Sequence, residues 1–145
     1  MEEYTIKLLN EYENDITELE ISNKRIKGIL DLKNFPRLEK LYCSRNKITE
    51  LKNLPSSLKI LYCYNNQITS LDDLPHNLIE LICYENKISE MDNLPSSLET
   101  LNCASNKIKY LDNLPKNLIN LYCVENQITN MDELKKKYPI RKLNF

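Results

Sequence analysis

Five cysteines, Cys43, Cys63, Cys83, Cys103 and Cys123, stand one every twenty residues. Thiols repeated along a chain can bridge, hold a metal or act as nucleophiles, and each use makes a geometric demand. A disulfide needs Cβ atoms roughly 3.8 Å apart. If the spacing stacks the cysteines on neighbouring strands about 4.8 Å apart, their Cβ vectors run parallel and stay too far apart. Zinc takes four tetrahedral ligands, and a straight row of thiols cannot surround it. The reading is five reduced, inward-facing thiols that pack as small apolar side chains, with no metal and no bridge.

Other chemistry has little to draw on. His76 is the single histidine, in a Pro-His-Asn turn, and Gly28 is the single glycine, so no phosphate-cradling loop exists. Asp72, Asp92, Asp112 and Asp132 form an acidic row, but no glycine-containing calcium loop accompanies it. No catalytic residues and no cofactor are assigned, and the chain reads as a non-enzyme.

The elements that carry these residues repeat with them. From residue 38 onward the pattern L-x-x-L-x-C-x-x-N-x-I-x-x-L-x-x-L-P-x-x recurs from Leu38, Leu58, Leu78, Leu98 and Leu118 without a gap. A fixed period of this size marks a solenoid. Within each repeat the segment exemplified by Leu41-Tyr42-Cys43 alternates as a strand with one buried face does. Seven such strands, near residues 19, 41, 61, 81, 101, 121 and 143, predict one parallel sheet. At about 4.8 Å per strand the stack is roughly 29 Å long. The return leg sends Ile48, Leu51 and Leu54, with their counterparts, inward from the opposite wall. Proline after the last of these, as in Leu54-Pro55, keeps that leg extended or turned.

Asn46, Asn66, Asn86, Asn106 and Asn126 make a second ladder beside the cysteines. An amide donates and accepts at once, so each can satisfy backbone groups where the strand turns away and bridge to the next layer. Their predicted role is structural.

The chain reads as one domain, 1–145. Residues 1–15 are an N-terminal cap, 16–37 an atypical first repeat, 38–134 five twenty-residue repeats and 135–145 a C-terminal cap strand. In the first repeat Lys24 stands where asparagine is expected and Asn23 comes one place early. Tyr4, Leu8, Leu9 and Tyr12 suit a short amphipathic helix over the open end. A strand through Tyr4, Ile6 and Leu8 is the alternative. Near the C-terminus Asn130 can cap a helix with Asp132 and Glu133 in its first turn and Lys135, Lys136 and Lys137 in its last. Tyr138-Pro139 stops it, and Ile140, Leu143 and Phe145 resemble a final strand.

A formal net charge of -1 gives no electrostatic case for nucleic acid. There is no run of about eighteen apolar residues to span a membrane. The acidic start Met1-Glu2-Glu3-Tyr4 is unlike a signal peptide, and no Asn-x-Ser/Thr site occurs. An intracellular, reducing, cytoplasmic setting is therefore expected.

With Leu, Leu, Cys, Asn and Ile at these spacings, residues 16–134 resemble the leucine-rich repeat proteins, most of all the short twenty-residue subclass found in bacterial effectors. The ladder cysteine and the Lys/Asn/Ile-rich composition look like repeat proteins encoded by giant viruses of amoebae, which would place the chain in a host cytoplasm. The resemblance implies an α/β solenoid: a right-handed curved stack with a parallel concave sheet, an extended or turned convex side and a short capping helix. It also implies a scaffold that binds another macromolecule on its concave face. Effectors of this kind often carry a separate catalytic domain, for which no residues remain here.

The variable sheet positions are where a partner would be met, because packing does not dictate them. Between the second leucine and the cysteine stand Glu20, Tyr42, Tyr62, Ile82, Asn102 and Tyr122, and after the cysteine Ser44, Tyr64, Tyr84, Ala104 and Val124. With Ile60 at the strand start, Tyr42, Ile60, Tyr62, Tyr64, Ile82 and Tyr84 are expected side by side. An exposed aromatic patch of this kind marks an interface. Glu18, Glu20, Lys40 and Arg45 on one flank, and Glu80 and Glu85 on the other, would form a mixed-charge rim. The predicted partner-binding residues are these six with Tyr122, and the predicted partner is a protein, neither nucleic acid nor membrane. A homodimer through the patch or an open end is the alternative.

Overall fold

Leu41 and its counterparts decide the architecture, because each is the buried middle of a three-residue strand whose two flanking residues face outward. The computed structural model describes the backbone of residues 2–138 and 142–144 and the side chains of residues 5, 7–130 and 132–138. In chain order the elements are α1 (Glu2–Leu9), β1 (Glu18–Glu20), β2 (Lys27–Asp31), β3 (Lys40–Tyr42), β4 (Lys47–Lys52), β5 (Ile60–Tyr62), β6 (Glu80–Ile82), β7 (Thr100–Asn102), β8 (Asn120–Tyr122), α2 (Met131–Lys137) and β9 (Lys142–Asn144).

Seven of these strands form one parallel sheet, in the order β1-β3-β5-β6-β7-β8-β9. The register aligns Leu19, Leu41, Leu61, Leu81, Leu101, Leu121 and Leu143 across it. The chain is a leucine-rich repeat solenoid with parallel strands and a small helical cap. Behind the sheet lies one continuous core of the strand leucines, the five cysteines and the return-leg Ile48, Ile68, Ile88 and Ile108. Each such buried Leu or Ile contributes about 1.5–3 kcal/mol before entropy is subtracted. No helix among the described residues is long and apolar enough to cross a membrane.

The return leg is extended or turned, as expected, with one addition. β2 and β4 pair in parallel as a second, two-stranded sheet confined to the first two units. Its register slips between Gly28 and Ile29, where Gly28 takes φ +79. In later repeats this wall carries backbone bonds such as Gln67 N–H to the Ile48 carbonyl and Lys87 N–H to the Ile68 carbonyl.

The asparagine ladder holds the turns from layer to layer. Asn66 Nδ2 donates to the carbonyls of Cys63 and, one layer back, Cys43, while its Oδ1 accepts from Ile48 N–H. Asn86, Asn106 and Asn126 repeat this set. Asn46 serves the atypical first unit, accepting from Lys24 and Ile26 N–H and donating to the Ile21 carbonyl. That explains how Lys24 replaces asparagine without leaving the turn unbonded. Asn23 is not a displaced ladder residue. It matches Arg45, Asn65, Glu85, Ser105 and Glu125 at a position with φ between 51 and 57 in every layer. Asparagine tolerates that left-handed backbone best of the non-glycine residues present.

A third ladder carried no expectation. The second residue after Pro55, Pro75, Pro95 and Pro115 is Ser57, Asn77, Ser97 and Asn117 in turn. Each donates to a carbonyl of the preceding layer: Ser57 to Pro36 and Leu38, Asn77 to Ser56, Ser97 to His76 and Leu78, and Asn117 to Ser96. The alternation of Ser and Asn, two short side chains with donors, was the available signal.

At the N-terminal end the helix reading holds and the strand alternative falls. Leu9 of α1 is buried in the core, with Leu8 and Tyr12 packed against it. The side chains of Tyr4 and Ile6 lie outside the described residues. At the other end α2 begins at Met131, so it straddles the expected boundary between the last repeat and the C-terminal cap. Asn130 corrects one expectation: it sits at the N-cap but makes no side-chain capping bond. Its Nδ2 instead donates to Asp112 at 2.9 Å, and its buried Oδ1, the atom a cap would use, accepts no hydrogen bond. Leu134 anchors the helix in the core. Pro139, Ile140 and Phe145 lie outside the described residues, as does the side chain of Leu143.

Candidate functional site

Three rows of side chains leave the sheet on its outer face, and strand register fixes their order. One row runs Glu18, Lys40, Ile60, Glu80, Thr100, Asn120; the next runs Glu20, Tyr42, Tyr62, Ile82, Asn102, Tyr122. The third holds Ser44, Tyr64, Tyr84, Ala104 and Val124, one residue beyond the ladder cysteine. Because strands alternate, these positions cannot reach the core while Leu41 and its counterparts fill it.

The structure brings six of the seven proposed residues together. Tyr42 meets Tyr62 edge-on, with ring centroids 5.1 Å apart at 88°. Tyr64 and Tyr84 stack at 4.5 Å and 6°. Ile82 is registered beside Tyr62 on the adjoining strand, Ile60 lies on the strand of Tyr62 in register with Lys40, and all six side chains are half-buried. Aromatic pairs in these geometries contribute about 0.5–1.5 kcal/mol beyond burial alone, so the patch is partly preformed. Tyr122 does not join it. Asn102 stands between Ile82 and Tyr122 in the register, which sets Tyr122 two strands away. Ser44 also departs from a surface role, being 1% exposed.

The rim is charged and partly satisfied. Lys40 pairs with Glu18 at 3.1 Å, and Lys59 pairs with Glu39 at 2.9 Å. Both pairs are solvent-exposed and contribute at most about 1 kcal/mol. The Tyr62 hydroxyl donates to Glu80 at 2.9 Å. Burial, and then this carboxylate, pushes the Tyr62 phenol up to about 12. Burial and the neighbouring Tyr64 raise Tyr84 as well. The Arg45 guanidinium lies over the Tyr64 ring, 5.9 Å from its centroid. These phenols are therefore neutral hydrogen-bonding and stacking groups near neutral pH.

The cysteine ladder lies on the other face of the same strands. All five cysteines are buried. Burial raises every one of them, Cys63 to about 12 and Cys123 to about 11. A buried neutral thiol is a poor nucleophile and a poor metal ligand. Among the described residues no group of three or more His, Cys, Asp and Glu is placed to hold a metal ion. On the convex wall Asp72 and Asp73 line an open groove of ≈ 400 Å³ with Thr49, Leu54, Ser70 and Leu74. The Ser70 hydroxyl donates to Asp72 there. His76 is exposed, and its backbone carbonyl accepts from Ser97.

Comparison with known proteins agrees with the repeat architecture. A family model described as leucine-rich repeats, two copies, matches residues 36–76. Among solved structures, the leucine-rich repeat domain of a Shigella effector is 29% identical with a TM-score of 0.74, covering 88% of this chain and 58% of its own. YopM from Yersinia enterocolitica is 39% identical with a TM-score of 0.63, over 64% of this chain and 21% of that one. The functional domain of InlJ from Listeria monocytogenes, which includes a cysteine ladder, is 33% identical with a TM-score of 0.54, over 79% of this chain and 31% of that one. The chain thus spans between about a fifth and three fifths of the length of these structures. No curated protein matches the chain. The repeats are leucine-rich repeats, and no catalytic family is indicated.

Proposed function

From a solenoid of leucine-rich repeats, we propose that the chain is a non-enzymatic scaffold that binds a protein partner on its concave sheet face. The observation that carries this reading is the preformed aromatic patch. Tyr42, Tyr62, Tyr64 and Tyr84 pair with one another on a surface where core packing does not require them. Tyrosine is enriched in interfaces and is a frequent anchor, because it adds a large contact area at low entropic cost. Similarity to bacterial effector repeat domains supports a protein as partner. The buried thiols of Cys43, Cys63, Cys83 and Cys103, all free, support an intracellular, reducing setting. The giant-virus origin rests on composition alone, and the similar solved structures come from bacteria.

The test is affinity capture with a patch variant. A Tyr62→Ala, Tyr64→Ala chain should stay folded, melting somewhat lower because both ring pairs are lost, and should lose its captured partner. A Lys52→Ala, Asp73→Ala chain, altered on the opposite wall, should retain it. Unchanged capture by the tyrosine variant would move function off this face. Sedimentation at several concentrations addresses the homodimer reading: a wild-type dimer that the tyrosine variant converts to monomer would make a second copy the partner.

A further inference from the structure

The stacked tyrosines on the sheet face have two unlike ends. The Tyr64–Tyr84 centroid separation of 4.5 Å is close to the spacing of neighbouring strands, about 4.8 Å, so the rings lie one per layer with their faces along the stack. At one end Arg45, from the layer before, covers Tyr64 with its guanidinium at 5.9 Å. At the other end Tyr84 faces the layer of Ala104, whose half-exposed side chain is a single methyl group. Val124 follows in the next layer. A slot one repeat wide therefore opens between the Tyr84 ring and Val124, with Ala104 as its floor.

The sheet side around that slot is acidic, with Lys87 and Lys107 lying beyond the ladder asparagines. The sheet-side segments 78–86, 98–106 and 118–126 contain Glu80, Glu85, Glu99 and Glu125 and neither Lys nor Arg. In the earlier layers, by contrast, Lys40 and Lys59 answer Glu18 and Glu39. Glu85 adjoins Tyr84 in the chain and Glu125 adjoins Val124, and both are exposed. The Glu85 carboxylate accepts from Asn65 Nδ2 at 2.5 Å and that of Glu125 from Ser105 Oγ at 2.6 Å. A carboxylate offers about four lone-pair directions, so each retains acceptor capacity.

We infer that the slot over Ala104, between Tyr84 and Val124, receives the guanidinium of an arginine from a basic segment of the partner. This rests on the concave-face reading and names the chemistry of the partner. A guanidinium is flat enough to lie on the Tyr84 face, and its in-plane N–H groups can reach carboxylates beside the ring. An ammonium has the charge but not the shape. The arrangement continues, at the open end of the stack, what Arg45 does at the closed end. The partner's arginine would complete a run of cation, ring, ring, cation.

The experiment is an NMR titration of the full chain, methyl-labelled at Ala and Val, with the pentapeptide acetyl-Gly-Gly-Arg-Gly-Gly-amide. Expected are shifts at the Ala104 and Val124 methyls and an upfield ring-current shift of the peptide arginine δ-protons. The citrulline peptide, equal in shape and neutral, should bind at least about fivefold more weakly. A Glu85→Gln, Glu125→Gln chain should lose a similar factor. Ala104→Phe fills the slot and should abolish the effect. Tyr84→Leu removes the platform without adding bulk and serves as the second variant. Equal binding of arginine and citrulline peptides, or arginine binding unchanged in both Ala104→Phe and Tyr84→Leu, would overturn the inference. If Ala104→Phe and Tyr84→Leu still capture the partner that the Tyr62→Ala, Tyr64→Ala chain loses, the slot fails while the concave-face reading stands.

Discussion

The Asn86 side-chain amide donates to the carbonyl oxygen of Cys63, a residue of the preceding layer, at 3.0 Å. It also donates to Cys83, and its Oδ1 accepts from Ile68 N–H. One side chain thus satisfies backbone groups of two consecutive repeats, at 9% exposure where water cannot replace it fully.

Asn86→Ala should therefore cost about 3 kcal/mol in a urea melt, because several buried groups lose their partner and each such loss costs about 1–3 kcal/mol. Asn102, whose Oδ1 accepts from the nearby Ala104 N–H on the sheet face, is the comparison. Asn102→Ala should cost less than about 0.5 kcal/mol. Equal, small effects would remove the ladder from the account of stability.

The two serines of Pro95-Ser96-Ser97 should behave differently despite their adjacency. The Ser97 hydroxyl lies 2.7 Å from the His76 carbonyl and 2.6 Å from that of Leu78. Ser97→Ala should lower stability by about 1 kcal/mol. Ser96 is exposed, and Ser96→Ala should stay within about 0.5 kcal/mol. Thermal or urea melts of both variants check this, and the reverse order would refute the inter-layer role.

Asn93 sits at φ 57 in the turn before Pro95. Asn93→Ala keeps the Cβ but removes the carboxamide that makes asparagine tolerant of a left-handed conformation, and should cost about 1 kcal/mol. Asn93→Gly should be close to neutral. A neutral alanine variant would show that the turn relaxes to another backbone conformation.

All five thiols should react slowly with a thiol reagent in the folded chain and fully in denaturant without prior reduction. The pH dependence follows from burial. Raised folded-state pKa values, about 12 for Cys63, leave the folded thiol protonated where the unfolded one, near 8.5, ionises. The folded state then binds more protons, so stability is intact below about pH 8.5 and falls as pH rises toward the folded values. Each thiol contributes a loss of about 1.4 kcal/mol per pH unit in that window. Urea melts from pH 7 to 10 should show the decline, and Cys63→Ala should soften it by one thiol's share. A flat profile, or fast native labelling, would contradict the inward orientation.

The sequence by itself determined the solenoid, because an unbroken twenty-residue period admits one arrangement: successive layers with Leu41, Cys43, Asn46 and Ile48 each meeting its own counterpart. It also determined which positions face outward, since a strand with Leu41 and Cys43 buried must turn Tyr42 and Ser44 the other way. Side-chain identity at those outward positions left more open. Only the tertiary structure decided that Tyr64 and Tyr84 stack, that Tyr42 and Tyr62 meet edge-on, and that Asn102 separates Tyr122 from both pairs. Only it showed Ser44 buried, Asn130 turned from its helix toward Asp112, and Ser57 and Ser97 bonded to the preceding layer. The physical reason is the range over which each choice is made. Periodic burial is fixed within one repeat and copied to the next, so it is written in residue type. Ring orientation and the direction of a short polar side chain depend on which group the neighbouring layer presents about 4.8 Å away, and that neighbour is some twenty residues distant in the chain.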